Sequence, residues 1–154
     1  MKTLIICTSI HHQNTQKIAE AMAGILNASV IKPEEVNISD LQNYDLIGFG
    51  SGIYMWKQHR VLLQLADSLP EMNKNCFLFS TSGDKNQDTA KWHKPLKDRL
   101  VKKGFNVLGD FNCLGWDTIG PLKLFGGMNK GRPNEQDLEN AREFARRMVG
   151  DINE

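Results

Sequence analysis

The chain has 154 residues, 40% of them apolar and 24% charged, with 19 Lys and Arg against 18 Asp and Glu for a formal net charge of +1. That is the length and composition of one globular domain; it excludes a disordered polyelectrolyte and supplies no long-range attraction for nucleic acid. The three cysteines (Cys7, Cys76, Cys113) are too few and too scattered for a disulfide framework or a zinc site, and no run reaches the ~18 apolar residues of a membrane span, so a cytoplasmic protein with reduced thiols is expected.

In chain order, apolar runs alternate with segments of helical periodicity. Lys2–Cys7 reads as a strand covered on both faces, and its short apolar core lacks the length of a signal peptide. Asn14–Leu26 places Ile18, Met22, Ile25 and Leu26 on one helical face. Ala28–Ile31 is a weaker strand and Asp45–Gly50 a clear one. His59–Leu69 reads as a helix stopped by Pro70, and Asn75–Ser80 as another buried strand. The spacing then predicts a helix over Lys94–Lys103, with Pro95 in its first turn and Gly104 as its C-terminal cap. Asn106–Gly115 reads as the fifth strand, and Asn134–Met148 as a last helix capped by Asn134.

Five strand–helix repeats in 154 residues imply a single α/β domain (1–154), a doubly wound parallel sheet with helices on both faces. In such sheets ligands sit at the carboxyl ends of the strands. Two connections, Thr81–His93 and Trp116–Pro133, are long enough to suggest function.

The loop after the first strand, Thr8-Ser9-Ile10-His11-His12-Gln13-Asn14-Thr15, surrounds a helix N-terminus with hydroxyl and amide side chains. Unpaired backbone N–H groups and the helix dipole make that a phosphate site without Lys or Arg, or the side chains simply cap the helix. The loop is neither a Walker A motif nor a GxGxxG turn. The two histidines lack the further ligands that a metal site needs. Gly50-Ser51-Gly52-Ile53-Tyr54-Met55-Trp56 follows the third strand, and its aromatics either form a stacking platform for a planar ring or pack on the next helix. Ser80-Thr81-Ser82-Gly83-Asp84 and Gly115-Trp116-Asp117-Thr118 bring more small polar residues to the same edge. No catalytic set is evident: Ser51 and Ser82 lack a nucleophile elbow, and Cys7 and Cys113 read as inert core, so any chemistry would belong to a cofactor.

In this order the segments resemble the flavodoxin family. Leu4–Cys7 with Thr8-Ser9 and Asn14-Thr15 is similar to its phosphate loop, Asn43 through Tyr54 to its third strand and flavin-contacting loop, and Phe79 through Gly83 to its fourth strand and loop. Phe125 through Asn134 is similar to a segment of one flavodoxin-like subgroup. The resemblance implies a five-stranded sheet of order 2-1-3-4-5 with FMN as cofactor. It implies that Ser9, His11, Asn14 and Thr15 hold the phosphate, and that Gly52, Ile53, Tyr54 and Trp56 border the isoalloxazine. It further implies that Thr81, Ser82, Gly83 and Asp84 meet the ring's polar edge or the ribityl chain, with Trp116 from the fifth loop. Two features depart from the family pattern. Gln13 stands where glycine is common, at a point where a left-handed backbone would strain it. The charge is near neutral, where electron-shuttling flavodoxins are acidic.

Three functions follow. The first is an FMN-binding redox protein that passes electrons between partner proteins, as a monomer or homodimer with no nucleic acid and no membrane span. The second is an FMN-dependent NAD(P)H:quinone-type reductase. The third is an interaction module that has lost FMN. Lys123, Lys130 and Arg132 offer positive charge to a partner, to a nicotinamide phosphate or to solvent alone.

Overall fold

The computed structural model describes residues 1–10, 12–118, 124 and 126–154. Among the described residues there are six strands and four α-helices. These are β1 (Thr3–Thr8), α1 (Asn14–Leu26), β2 (Ser29–Ile31), β3 (Leu46–Tyr54), β4 (Lys57–Gln58), α2 (Arg60–Ser68), β5 (Asn75–Ser82), α3 (Thr89–Lys102), β6 (Asn106–Leu114) and α4 (Glu135–Asn153). Five strands pair in parallel in the order β2-β1-β3-β5-β6, while β4 folds back antiparallel on the end of β3. Counted without β4, this is the expected 2-1-3-4-5 order.

Alternation along the strands divides the apolar residues between two cores. Leu4, Ile6, Ile47, Phe49 and Leu78 face α2 and α3, whereas Ile5, Cys7, Leu46, Phe77 and Phe79 face α1 and α4. Gly48 and Gly50 lie in β3 opposite Phe77 and Phe79 of β5, and a Cβ on either glycine would collide with the facing ring. Gly50 therefore makes room inside the core; it is not the hinge of a loop. What reads as a glycine loop continues as strand to Tyr54 and then turns through Met55 and Trp56 into β4.

The third helix departs most from its predicted bounds. It starts at Thr89, capped by Asp88, and Pro95 lies in its interior. An interior proline removes a backbone hydrogen bond and typically costs ~3 kcal/mol. Burial of Trp92 and His93 one turn earlier, in line with Leu96 and Leu100, offsets that cost and draws the helix start forward. The long connection expected over Thr81–His93 shrinks to residues 83–88. Gly104 caps the helix in a left-handed conformation, φ 86°, as expected.

Candidate functional site

All five parallel strands end at one edge, and a groove runs along it. Its first hollow is lined by Ser9, Ile10, Asn14 and Thr15 after β1, by Gly52, Ile53 and Tyr54 of β3, by Thr81, Ser82 and Gly83 of β5, and by Gly115, Trp116 and Asp117 after β6. A second hollow shares Ile53, Ser82, Gly83 and Asp117 and extends to Met55, Trp56, Asp84 and Trp92. They enclose about 390 and 570 Å³ of empty space, open solvent included. Ten of the sequence-predicted residues thus meet in the first hollow, and Trp56 and Asp84 join them through the second. His11 lies outside the described residues.

One end of the groove is built from the start of α1. Gln13, the residue before the helix, is left-handed at φ 54°, ψ 30° and offers no side-chain cap, and the first turn holds no acidic residue. His12 before it is also left-handed, φ 51°. The non-glycine residue at this position therefore carries the strained geometry, and the N–H groups of the first turn stay unclaimed by a capping side chain. His12 does not point toward an anion. Its ring stacks on Trp116 with centroids 3.8 Å apart, and its Nε2 lies 2.8 Å from Thr118 Oγ1.

Asn14 Nδ2 donates to the Trp116 carbonyl at 2.8 Å, whereas its Oδ1 is buried with no hydrogen-bond partner. Thr15 and Thr81 share a hydrogen bond of 2.8 Å between hydroxyls, which ties α1 to β5 and leaves one hydroxyl proton for a ligand. Gly83 and Gly115 keep the groove open: a Cβ on Gly83 would meet the Asp117 carboxylate, and one on Gly115 the Asn14 amide.

The connection after β6 closes this end. Trp116 N donates to the Arg132 carbonyl, its indole N–H to the Gly126 carbonyl, and Asp117 and Met128 exchange both backbone hydrogen bonds. Asn129 Nδ2 reaches the Gly83 carbonyl at 3.0 Å. Arg132 anchors the segment through a two-pronged pair with Asp137, 2.6 and 2.7 Å. Burial would push the Asp137 carboxyl up, but the guanidinium and the Asn134 N–H hold it below the usual carboxylate range. Arg132 is thereby committed within the fold and is not a free contact for a partner. Lys130 lies over the Trp116 ring at 6.0 Å, and Lys123 is outside the described residues.

At the other end of the groove, Tyr54 packs edge-on to His59, 5.1 Å between centroids. Burial, with the Cys7 thiol adding to it, raises the Tyr54 phenol, so it remains a neutral donor. Burial and the neighbouring Arg60 lower His59 against a smaller pull from Glu34, and the neutral ring accepts the Val61 N–H to cap α2. Cys7 and Cys113 are pushed up to about 12, by burial first and by Glu20 and Asp137 respectively, which keeps both thiols protonated near neutral pH. Among the described residues no Lys or Arg lines either hollow, and no His, Cys, Asp and Glu cluster could hold a metal.

Sequence reasoning brought Asp117 to this edge without assigning it to the site, and it missed Trp92 and a polar cluster under α3. In that cluster Ser80 Oγ lies 2.7 Å from His93 Nε2, and His93 Nδ1 lies 2.6 Å from Asp110 Oδ1. The connectivity is that of a hydrolytic triad, but Ser80 is completely buried in mid-sheet and lines neither hollow, so it attacks nothing. The spacing of Trp92, Leu96 and Leu100 was the signal that would have placed His93 on the buried face.

A flavodoxin-domain family model matches residues 5–115. An uncharacterized protein of Methanocaldococcus jannaschii is 47% identical over 149 residues, covering 97% of this chain and 99% of that protein. Among solved structures, a flavodoxin from the domain Archaea superposes with a TM-score of 0.77 at 16% identity, covering both chains completely. Flavodoxin 2 from Bacillus cereus superposes at 0.73 and 19% identity, over 98% of this chain and 99% of its own. The chain belongs to the flavodoxin-domain family.

Proposed function

We propose that the chain binds FMN in the groove and acts as a redox protein that passes electrons between partner proteins. The observation that carries this reading is the first hollow: an uncapped helix N-terminus beside the orphaned Asn14 Oδ1, with two lining glycines where a Cβ would collide with the Asp117 and Asn14 side chains. The residues fit the cofactor. Ser9, Asn14, Thr15 and the first-turn N–H groups of α1 would hold the phosphate with dipoles alone, and His11 is assigned there by the family resemblance. Asn14 Oδ1 would accept from a ribityl hydroxyl. Gly52, Ile53, Tyr54 and Trp56 would border the ring, and Thr81, Ser82, Gly83 and Asp84 would meet its polar edge, with Trp116 closing the other wall.

The chemistry supplied by bound FMN is reversible acceptance of electrons at its ring. Around it the chain sets the electrostatics: Asp84 and Asp117 line the groove with no lining cation among the described residues, which disfavours added negative charge. The bond chemistry of either role would belong to the cofactor, and the electron carrier is the reading put to the test. The test is to load the protein with FMN, reduce it with dithionite and mix it with cytochrome c. Rapid oxidation without NAD(P)H turnover on a quinone supports the carrier. Sustained NAD(P)H:quinone turnover without any partner protein overturns it in favour of the reductase.

A further inference from the structure

The polar cluster under α3 is continuous with the groove floor. Asn112 faces Ser80 across β5 and β6, and its Nδ2 donates to Ser80 Oγ at 2.7 Å. Ser82, which lines both hollows, has two long acceptors for its hydroxyl, Asn112 Oδ1 and the Asp84 carbonyl, each at 3.4 Å. Asp110 is an acceptor only, so His93 donates to it from Nδ1; a neutral His93 then accepts from Ser80 at Nε2. Every bond in the series therefore points one way, Ser82 to Asn112 to Ser80 to His93 to Asp110.

A β-bulge makes the series possible. The register between β5 and β6 slips at Cys76 and Phe77, so Phe77 faces Gly109 and Leu108 is the extra residue. One slip exchanges the two faces of everything that follows. Asp110 and Asn112 are thereby turned toward α3, while Phe111 and Cys113 join the opposite core. A buried polar network is costly unless every member is satisfied, and such networks are retained where they serve a site.

We infer that His93 controls the hydrogen-bond polarity of Ser82 at the groove floor, and so links proton uptake by the buried imidazole to binding of the cofactor. This rests on the FMN reading above. When His93 gains a proton, Nε2 becomes a donor to Ser80 Oγ. Ser80 must then donate to Asn112, whose amide turns over to present Oδ1, and Asn112 Nδ2 donates to Ser82. The Ser82 hydroxyl proton is released from Asn112, and only the long 3.4 Å contact to the Asp84 carbonyl then competes with the groove, where the carbonyl-rich edge of a flavin accepts it. With His93 neutral, Ser82 offers the groove lone pairs alone. His93 is a positioning residue, since it touches no ligand.

The charged and titratable groups on the elements around His93 do not compete for this role. Asp110 on β6 touches the ring. Cys76 on β5 is kept protonated by burial, with Asp110 adding to it. On α2, Asp67 is paired with Arg99 of α3, and Arg60 is exposed, as is Lys57 on β4. On α3 itself Lys94 pairs with Asp98, and Lys91 and Lys97 are exposed.

The test has two arms. In the FMN-free protein, the His93 ring resonances and the Ser82 and Gly83 amide resonances are followed by NMR against pH. The inference expects the amides to move with the midpoint of the ring, and it is overturned if they have no component there. In the second arm FMN affinity is measured against pH for the natural protein, His93→Gln and Ser82→Ala. The phosphate of FMN titrates in all three and cancels in the comparison. Affinity of the natural protein should rise about fivefold or more relative to each variant as His93 becomes charged. Identical profiles in all three overturn the inference. If no FMN binds to any of them, the cofactor reading fails, and the NMR arm still decides the switch.

Discussion

Two turns at the groove place consecutive non-glycine residues in left-handed backbone, and they are supported in opposite ways. At the proposed phosphate end, His12 and Gln13 have φ 51° and 54°. At the proposed ring end, Met55 and Trp56 have φ 52° and 60° where β3 turns into β4. A two-residue hairpin of that kind favours Asn-Gly, and each bulky residue there costs of order 1–2 kcal/mol. His12 is braced by its stack on Trp116 and its bond to Thr118. Met55 and Trp56 are 81% and 65% exposed. The first turn is held by contacts within the fold, and in the proposed function its backbone presents N–H groups to the phosphate. The hairpin tip exposes its side chains, which in the proposed function border the ring.

The brace at the phosphate end depends on the segment after β6, so breaking its anchor has the largest effect. Asp137→Asn leaves Arg132 without its carboxylate and weakens the Asn134 N–H bond to the residue-137 side chain that caps α4, and should lower stability by about 2–4 kcal/mol in urea unfolding. The sign with pH follows from the lowered Asp137 carboxyl. Its contribution is complete above the ordinary carboxylate range and is lost as pH falls through its own lower value. Acid unfolding of the natural protein should therefore be steeper than that of Asp137→Asn.

Trp116→Ala removes the stack on His12 and one groove wall. FMN affinity should fall about tenfold or more, with a stability loss of roughly 1–3 kcal/mol. At the other turn, replacing Met55 by Asn together with Trp56 by Gly should stabilise the fold by about 1–2 kcal/mol while weakening FMN binding, measured as melting temperature and affinity on one sample. Parallel losses of both would mean that the tip contributes to packing, contrary to its exposure. The smallest effect is expected for Gln13→Gly, which relieves one left-handed residue and should raise stability by about 0.5–1 kcal/mol with affinity preserved.

These two turns also mark where the sequence was and was not legible. The strands and the helix N-terminus of the phosphate loop follow from apolar runs and local side-chain chemistry, so Ser9, Asn14 and Thr15 were identifiable, as was the danger of a left-handed Gln13. The hairpin was not, because Met-Trp violates the residue preference by which a tight turn is recognised. Pro95 misplaced the start of α3, since the compensation comes from burial of Trp92 and His93 against distant strands. The cluster of Ser80, His93, Asp110 and Asn112 was invisible for a further reason: it depends on a one-residue bulge at Leu108, which reverses the face of the end of β6 without any local signal. The near-neutral charge first counted against nucleic acid. Beside the family resemblance it marks a departure from the acidic pattern of electron-shuttling members, and among the described residues the groove is lined by Asp84 and Asp117 with no Lys or Arg.

The most direct test of the central claim is a fluorescence titration of the FMN-free protein with FMN and, separately, with riboflavin, which lacks the phosphate. If the dipoles of α1 and the amide and hydroxyl groups around it hold the phosphate, FMN quenches at one equivalent and riboflavin binds far more weakly. Equal binding of the two, or no quenching by FMN, would contradict it.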